Sequence, residues 1–346
     1  MEEDIRYALR SKTPTADRKS LQKITLMSWH LQTPVAIFFY RRPNHLKQVM
    51  EKVREARPPT LYGISDGAKT GNEEIKKGVE ESRKVFREMI DWPCRWELLE
   101  RESNLGSYLS VSKGLDWVFE RESETIVLED DTIPDPSFFR FTAELLDKYR
   151  NNPKVGAISG NNYDDPQLWP GDQSYRFTRY HHSWGWGTWK RAWHWFDREE
   201  KLLVGLSRLR KENKVGLSRT EWAYWERSFR HTYAKKLDAW DYRWTLSLWA
   251  QGMHCIVPRV NLVQNIGFDE FATHTVEREF ADLKMHRVHA MMFPLKPPTA
   301  MEPDASLDEG VFHSHYRRLE GRRDLWQKLW DRFRRWGRAK GPEKEG

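Results

Sequence analysis

Short apolar runs alternate with stretches of helical periodicity over the first 160 residues of the chain. Residues 34–40 are continuously apolar and precede Arg41, Arg42, Pro43 and Asn44, which predicts a buried strand and then a helix with Asn44 as its N-cap. Four more strands are predicted at 60–65, 95–99, 125–128 and 155–159, and three more helices at 76–90, 107–120 and 138–150. This alternation predicts an α/β fold with a mostly parallel central sheet flanked by helices.

The pattern changes after residue 160. Residues 161–171, rich in Asn, Asp and Pro, are predicted to form a loop, and residues 198–214 a polar, mostly helical connector. Helices are predicted at 222–233 and 243–250, a short strand at 255–258, a loop at 267–275, and a Pro-rich, poorly packed segment at 294–308. No GxGxxG or Walker P-loop follows the first strand, which disfavours dinucleotide oxidoreductases and P-loop enzymes.

The basic charge of the chain is concentrated near its C-terminus. Residues 316–340 contain ten Arg and Lys against three Asp and Glu, and this excess of seven equals the net charge of +7 for the whole chain. Apolar residues of this tail share one helical face: Leu325, Trp326, Leu329, Trp330, Phe333 and Trp336. Such an amphipathic helix is typical of docking on an anionic membrane surface. Packing against the rest of the chain, or binding to a calmodulin-like partner, is the alternative.

Other features limit the protein class. The two cysteines, Cys94 and Cys255, have no metal-binding spacing, so neither a zinc site nor a disulfide framework is indicated. No signal peptide and no apolar run of membrane-spanning length is recognisable. We therefore expect a cytoplasmic protein, peripheral at the inner face of the membrane if its C-terminal helix docks there. Confinement of the basic charge to the tail argues against a nucleic-acid partner.

Three adjacent carboxylates follow the strand at 125–128. They belong to Glu129, Asp130 and Asp131, and like charges at the end of a buried strand repel each other unless a partner offsets them. Hard oxygen ligands suit Mg²⁺ or Mn²⁺, and open α/β sheets bind ligands at strand ends. The alternative is an acidic loop before a helix that Asp135 or Ser137 caps.

Tryptophan is abundant, with 18 residues, of which ten lie between positions 184 and 249. Large aromatic rings fill cores, and they also stack on the apolar faces of sugar rings. Trp184, Gly185 and Trp186 combine flat rings with a glycine that allows close approach of the backbone to a ligand. Most of the ten rings are expected to be core residues.

The ordered set of motifs between residues 34 and 280 resembles the GT-A fold of nucleotide-diphospho-sugar glycosyltransferases. The closest likeness is to the branch of N-acetylglucosaminyltransferase I and bacterial haemolysin-like glycosyltransferases. The matching segments are 35–43, 65–67, 104–106, 129–131, 134–139, 183–189, 240–244, 265–268 and 273–275.

The resemblance implies roles for the residues of the acidic strand end. Asp131 would be the direct ligand of Mn²⁺ or Mg²⁺, Asp130 would contact the ribose or the metal, and Glu129 would bind the donor sugar. Further residues would bind the nucleotide or donor: Arg41, Arg42, Asp66, Asn104, Gly106, Trp184, Gly185, Trp186 and His274. Turn formation, helix capping, ion pairing and core packing are the alternatives for these residues.

The resemblance also implies an inverting transfer, which needs a base to deprotonate the acceptor hydroxyl. Asp241 is the expected base and Asp238 is its rival, with helix capping by Asp241 as the alternative. The implied activity is metal-dependent transfer of a sugar, most simply UDP-linked, to a glycan or lipid-linked acceptor. A sugar-1-phosphate nucleotidyltransferase and a nucleic-acid-binding protein are the rival classes.

The same resemblance divides the chain into four units. An N-terminal extension covers residues 1–32, a Rossmann-like nucleotide-sugar-binding half 33–160, an acceptor-binding and catalytic half 161–292, and a Pro-rich linker with the basic amphipathic helix 293–346.

Overall fold

The structure is a computed structural model and describes residues 29–267 and 287–317. The predicted C-terminal amphipathic helix, His274 and most of the N-terminal extension lie outside the described residues. Within these ranges, no helix has both the length and the apolar composition needed to cross a membrane.

Strands and helices alternate as predicted in the first half of the described chain. The strands are β1 (Val35–Phe39), β2 (Thr60–Ser65), β3 (Arg95–Glu100), β4 (Glu124–Glu129), β5 (Thr132–Pro134), β6 (Val155–Ser159), β7 (Tyr175–Thr178), β8 (Trp186–Trp189), β9 (His254–Pro258) and β10 (Val263–Asn265). The helices are α1 (Pro43–Ala56), α2 (Glu73–Glu88), α3 (Gly106–Phe119), α4 (Pro136–Tyr149), α5 (Lys190–Trp193), α6 (Lys201–Val204), α7 (Leu206–Glu212), α8 (Arg219–Tyr233), α9 (Asp241–Gln251) and α10 (Ala305–Val311). A 3₁₀ turn covers Pro166–Leu168, and a π-helical turn, Phe312–Tyr316, follows α10.

Eight strands form one sheet in the order β3-β2-β1-β4-β8-β6-β9-β7. Strands β1 to β4 pair in parallel, as do β6 and β9. Strand β8 runs antiparallel to β4 and β6, and β7 runs antiparallel to β9. Strands β5 and β10 form a separate antiparallel ribbon. The prediction of an α/β fold with a mostly parallel central sheet is therefore confirmed.

Helices cover both faces of the sheet. Apolar residues of α1, α2 and α4 pack on one face, where Val35, Ile37 and Phe39 of β1 point. Residues of α3, α5 and α9 pack on the other face, against Ala36 and Phe38. This alternation along β1 is the period of two that a strand buried on both sides requires. A third apolar cluster joins the outer side of α8 and α9 to α10 and the π-helical turn.

Two local predictions were wrong. Helix α1 begins at Pro43 with Arg42 as its N-cap, not with Asn44, because proline suits the first helical position and disfavours a helical residue before it. The Pro-rich segment after residue 293 packs against the sheet: the backbone N–H of Ser174 donates to the Lys296 carbonyl at 2.8 Å, and the Lys296 N–H donates to Ser174 Oγ at 3.0 Å.

Candidate functional site

The carboxyl ends of β1 and β4 meet at the point where the strand order reverses. The chain leaves β1 to build β2 and β3 on one side, whereas β4 pairs on the other side of β1. Ligands of open α/β sheets bind in the crevice at such a switch point. The residues that follow the two strands, Tyr40 to Arg42 and Glu129 to Asp131, therefore line the candidate site, which we call the acidic crevice.

One arginine joins two of the three carboxylates in the acidic crevice. Nη2 of Arg42 donates to the Asp130 carboxylate and to Asp131 Oδ2, the latter at 2.8 Å. Asp130 also accepts a hydrogen bond from the Tyr40 backbone N–H at 3.1 Å. Its side chain is 5 % exposed, whereas that of Asp131 is 14 % exposed. Asp130 is therefore held inside the protein, and Asp131 is the more accessible of the two carboxylates.

The crevice carries more negative charge than Arg42 can offset. Burial, followed by the charges of Asp131, Asp130 and Asp241, raises the pKa of Glu129 to about 8. Burial also raises the pKa of Asp130, against the opposing effect of Arg42. Carboxylates that share a low-dielectric site raise each other's pKa in this way. A bound cation would relieve this repulsion.

The ribbon of β5 and β10 brings a second loop to Asp131. The backbone N–H of Ile266 donates to the Asp131 carbonyl at 2.8 Å. A Cβ atom on the next residue, Gly267, would lie only 2.1 Å from Asp131 Oδ2 and 3.0 Å from Arg42 Nη1. Glycine at this position therefore allows the loop to pass directly against the Asp131 carboxylate.

This donor set fits a divalent cation that a ligand helps to bind. Among residues 29–267 and 287–317, no three His, Cys, Asp or Glu side chains converge to hold a metal by themselves. Mg²⁺, however, commonly takes one or two carboxylates and completes its shell with water and phosphate oxygens. Asp131, whose carboxylate is the more accessible of the two that Arg42 contacts, is the residue that would hold such a cation.

Three predicted donor-site residues form one hydrogen-bonded unit between β2 and α3. The Asp66 carboxylate accepts hydrogen bonds from the backbone N–H groups of Gly67, Leu105 and Gly106 and from Asn104 Nδ2, at 3.0 to 3.2 Å. Burial raises the pKa of Asp66, although these backbone donors oppose the shift. The Asp66 carboxylate therefore holds the turn before α3 in place. Gly106 in this turn adopts a φ of +77°, a conformation that favours glycine.

The rival bases Asp238 and Asp241 have different surroundings. Asp238 Oδ2 and Oδ1 accept hydrogen bonds from the backbone N–H groups of Ser107 and Tyr108, at 2.8 and 3.0 Å. Asp238 thus caps the N-terminus of α3. Asp241 is the first residue of α9, and its charge contributes to the raised pKa of both Glu129 and Tyr163. The fold therefore brings Asp241 near the acidic crevice from a position 112 residues beyond Glu129 in the chain.

The tryptophan-glycine motif lies at the start of β8, beside the ends of β4 and β6. Trp186 is 1 % exposed, and its ring stacks on Trp240 with centroids 5.1 Å apart. A Cβ on Gly185 would lie 2.8 Å from Val263 Cγ2, so this glycine permits close packing in the core. Trp184 is half-buried and makes an edge contact with Tyr163 at 5.5 Å. The structure thus places Trp186 and Gly185 in the core and Trp184 nearer the surface.

A group of rings beside Asp241 was not predicted from the sequence. Tyr163 stacks on His315 of the π-helical turn, with centroids 3.7 Å apart, and contacts His182 at 4.5 Å. Burial lowers the pKa of His182 to about 4. The position of Tyr163, four residues after the end of β6, was the available signal, because that strand end lies at the ligand-binding edge. His315 had no such signal, since it comes from a distant segment.

Comparisons with known proteins find similarity only to solved structures. No protein-family model and no curated protein matches the chain. The chain is similar to "Mannosyltransferase PcManGT from Pyrobaculum calidifontis in complex with GDP-Man and Mn2+", with 10 % identity over 49 % of this chain and 47 % of that one, at a TM-score of 0.32. It is also similar to S. aureus TarS 1-349, with 9 % identity over 69 % and 61 % of the two chains, at a TM-score of 0.38.

A third similar structure is a UDP-glucose pyrophosphorylase complexed with UDP-glucose, with 9 % identity over 66 % of this chain and 90 % of that one, at a TM-score of 0.33. These partial likenesses include a transferase and a pyrophosphorylase, so they do not decide the reaction. The class that the fold and site define is an α/β protein with an acidic ligand crevice at its topological switch point. The mostly parallel, helix-flanked sheet expected from the GT-A resemblance is the one observed.

Proposed function

We propose that the protein is a metal-dependent, inverting glycosyltransferase of the GT-A type. It would transfer a sugar from a nucleotide-diphosphate donor, UDP-linked in the simplest case, to a hydroxyl of a glycan or lipid-linked acceptor. The observation that carries the proposal is the acidic crevice. Arg42 pairs there with Asp130 and Asp131, and the charge of Asp241 contributes to the raised pKa of the neighbouring Glu129. The likeness of the sequence motifs to the N-acetylglucosaminyltransferase I branch supports the choice of reaction.

On the donor side, Asp131 would hold Mn²⁺ or Mg²⁺. The cation, when bound, would neutralise charge that develops on the leaving diphosphate. Asp130 is fixed by Arg42 and by the Tyr40 N–H, so its role would be to orient Arg42 and the ribose. Glu129 would accept hydrogen bonds from donor-sugar hydroxyls. The unit of Asp66, Asn104 and Gly106 would shape the nucleotide pocket, with Arg41 at its edge.

In the transfer step, Asp241 would take the proton of the acceptor hydroxyl. The acceptor oxygen forms a bond to the anomeric carbon from the face opposite the diphosphate. The bond between that carbon and the diphosphate oxygen breaks, and the diphosphate leaves with the electron pair. The anomeric carbon is therefore inverted, and the proton ends on the Asp241 carboxylate.

Asp241 is preferred over Asp238 because of the hydrogen bonds in which Asp238 is engaged. Both oxygens of Asp238 already accept backbone N–H groups at the N-terminus of α3. To act as the base, Asp238 would have to give up the hydrogen bonds that cap α3. Tyr163 lies near Asp241, whose charge contributes to its raised pKa, and Trp184 contacts Tyr163. These two rings would contact the sugar or acceptor.

Two further parts of the proposal concern residues outside the described ranges. His274 would approach the diphosphate, and the basic amphipathic helix would dock on an anionic membrane. If the helix docks, co-sedimentation of the protein with anionic vesicles should be lost when residues after Gly321 are removed. Unchanged sedimentation of the shortened chain would exclude the membrane contact.

The release of nucleoside diphosphate from a panel of nucleotide sugars, with and without Mn²⁺, tests the reaction. We expect metal-dependent release that falls at least about 100-fold in Asp131→Asn, because a metal ligand is lost. Asp172→Asn removes an exposed carboxylate that pairs with Lys296 and serves as the matched control. Pyrophosphate formation from a sugar-1-phosphate and a nucleoside triphosphate would instead support the nucleotidyltransferase alternative.

A further inference from the structure

A second cavity lies between α3 and the junction of α8 with α9. Its volume is about 440 Å³. Its lining combines three leucines (Leu105, Leu109 and Leu237), three basic side chains (Arg198, Lys235 and Arg243) and the carboxylates of Glu200 and Asp238. Arg243 and Asp241 are two residues apart on α9, about 200° around the helix. The cavity thus borders the helix that begins with Asp241.

Arg243 is a buried cation with hydrogen-bonding capacity left over. Its guanidinium lies between the rings of Tyr108 and Tyr233, 4.2 and 4.0 Å from their centroids. Nη2 donates to Glu200 Oε1 at 2.9 Å, and the Arg243 side chain is only 2 % exposed. Nε and Nη1 have no hydrogen-bond partner in the described parts of the chain. Because an unsatisfied buried donor is costly, these two nitrogens indicate a missing acceptor.

The other charges in the cavity do not supply that acceptor. Asp238 is engaged with the backbone of α3. Arg198 donates to Asp116 and to the Phe196 carbonyl, which fixes its position at the rim. Glu200 and Lys235 both adopt a positive φ, of 61° and 56°. For Lys235 this is the common conformation of a residue that follows a helix, here α8.

We propose that this cavity binds an oxyanion, a phosphate or a carboxylate, carried by a molecule with an apolar part. Arg243, with its plane fixed by Tyr108 and Tyr233, is the principal donor, and Lys235 adds a second positive charge. A planar guanidinium with free N–H groups matches both kinds of oxyanion. Leu105, Leu109 and Leu237 would contact the apolar part. If the proposed transferase function holds, the molecule would be an anionic acceptor.

The probes for this site are phenyl phosphate and benzoate, titrated calorimetrically without metal or nucleotide sugar. We expect saturable binding of at least one probe, weakened about tenfold or more by Arg243→Gln through loss of charged hydrogen bonds. Lys235→Gly should weaken binding about threefold, as expected for one exposed charge, and glycine suits the positive φ at this position. Lys236→Gln, at an exposed neighbour outside the cavity lining, should leave affinity unchanged.

If Arg243→Gln does not fold, the affinity of Lys235→Gly for the probes tests the proposal. Absence of binding by the unaltered chain would overturn the proposal, and so would equal affinity in Lys235→Gly and Lys236→Gln. In either case, the role of Arg243 would be to pack between the rings of Tyr108 and Tyr233. The relative affinities for the two probes separate phosphate from carboxylate recognition. Because Asp131→Asn should bind the probes normally, loss of the transferase proposal and loss of this one give different results.

Discussion

Two clusters of buried charge in this protein differ in how well their charges are balanced. In the acidic crevice, Arg42 pairs with Asp130 and Asp131, and Glu129 lies close enough for their charges to raise its pKa. In a second cluster, which we call the anchor network, Arg176 and Arg179 pair with three carboxylates, those of Asp164, Glu221 and Asp308.

Hydrogen bonding separates the two clusters further. Asp308 accepts from Arg176 Nη1, Thr178 Oγ1, the Arg179 backbone N–H and Arg179 Nε, at 2.6 to 3.0 Å. Its carboxylate is thus fully used in attaching α10 to the end of β7. Within residues 29–267 and 287–317, the Glu129 carboxylate has no comparable set of hydrogen bonds, and its pKa is raised to about 8. The charges of the anchor network are engaged in holding the fold together, whereas the carboxylates of the acidic crevice are available for a ligand.

The largest effect expected on stability is that of Asp308→Ala. This change leaves two buried arginines without their shared partner, and breaking a buried pair from one side costs about 3–5 kcal/mol. The free energy of unfolding, from urea denaturation, measures it. Asp304→Ala removes the N-cap of the same helix and should cost only about 1 kcal/mol. Equal losses in the two variants would contradict the distinct role assigned to the anchor network.

Beside the acidic crevice, by contrast, replacement of the Asp241 carboxylate should affect activity and not stability. Asp241→Asn is expected to reduce kcat by roughly 10²- to 10⁴-fold, the usual contribution of a general base. Donor affinity, measured by equilibrium binding, should be unchanged, because the donor contacts are made by other residues.

Asp238→Asn is the matched comparison for Asp241→Asn. Its helix-capping role predicts a loss of about 1 kcal/mol in the free energy of unfolding and a kcat within a few-fold of the original. A larger loss of kcat in Asp238→Asn than in Asp241→Asn would reverse the assignment of the base.

Adding a methyl group at Gly267 tests whether the position of the Asp131 carboxylate matters for activity. In Gly267→Ala the new Cβ would lie 2.1 Å from Asp131 Oδ2, so the carboxylate must move. Since a displacement of about 1 Å in an active site can cost about 100-fold in rate, we expect a fall in kcat of about 10- to 100-fold.

Gly205→Ala is the control for Gly267→Ala, because the nearest atom to its Cβ would be 3.7 Å away. The melting temperatures of both variants should stay close to that of the unaltered chain. Normal turnover in Gly267→Ala would mean that Asp131 tolerates displacement and is not a ligand of the reacting group.

The sequence was sufficient for the regular first half of the fold and for placing three carboxylates at the end of β4. There, five predicted strands and four helices have local periodicity, and the three carboxylates are adjacent in the chain. Strand β8 was missed because its four residues, Trp186–Trp189, show no alternation of apolar and polar positions. The roles of Asp238 and Arg243 depend on contacts between distant elements, with Ser107 and Tyr108 in the first case and Tyr233 in the second. No local pattern encodes these contacts.

Lowering the pH should affect a third region, the buried histidines His181, which contacts Trp186, and His182, which contacts Tyr163. Burial lowers the pKa of His182 to about 4 from its ordinary value of 6.5, and burial also lowers the pKa of His181. The unfolded chain therefore binds protons on these residues at a higher pH than the folded chain does. The stability that these neutral histidines contribute is fully present above about pH 6.5 and is lost as the pH decreases towards 4.

For His182 alone, the loss at pH 5.5 is about 1.4 kcal/mol, because one pH unit separates this pH from its unfolded pKa. The free energy of unfolding, measured by urea denaturation between pH 7 and pH 5, tests this value. His182→Gln should reduce the slope, and the slope that remains belongs to His181 and the other titrating groups. His313→Gln, which alters an exposed histidine, is the control and should leave the slope nearly unchanged. If the free energy of unfolding changes with pH equally in His182→Gln and His313→Gln, then burial does not lower the pKa of His182 in the folded protein.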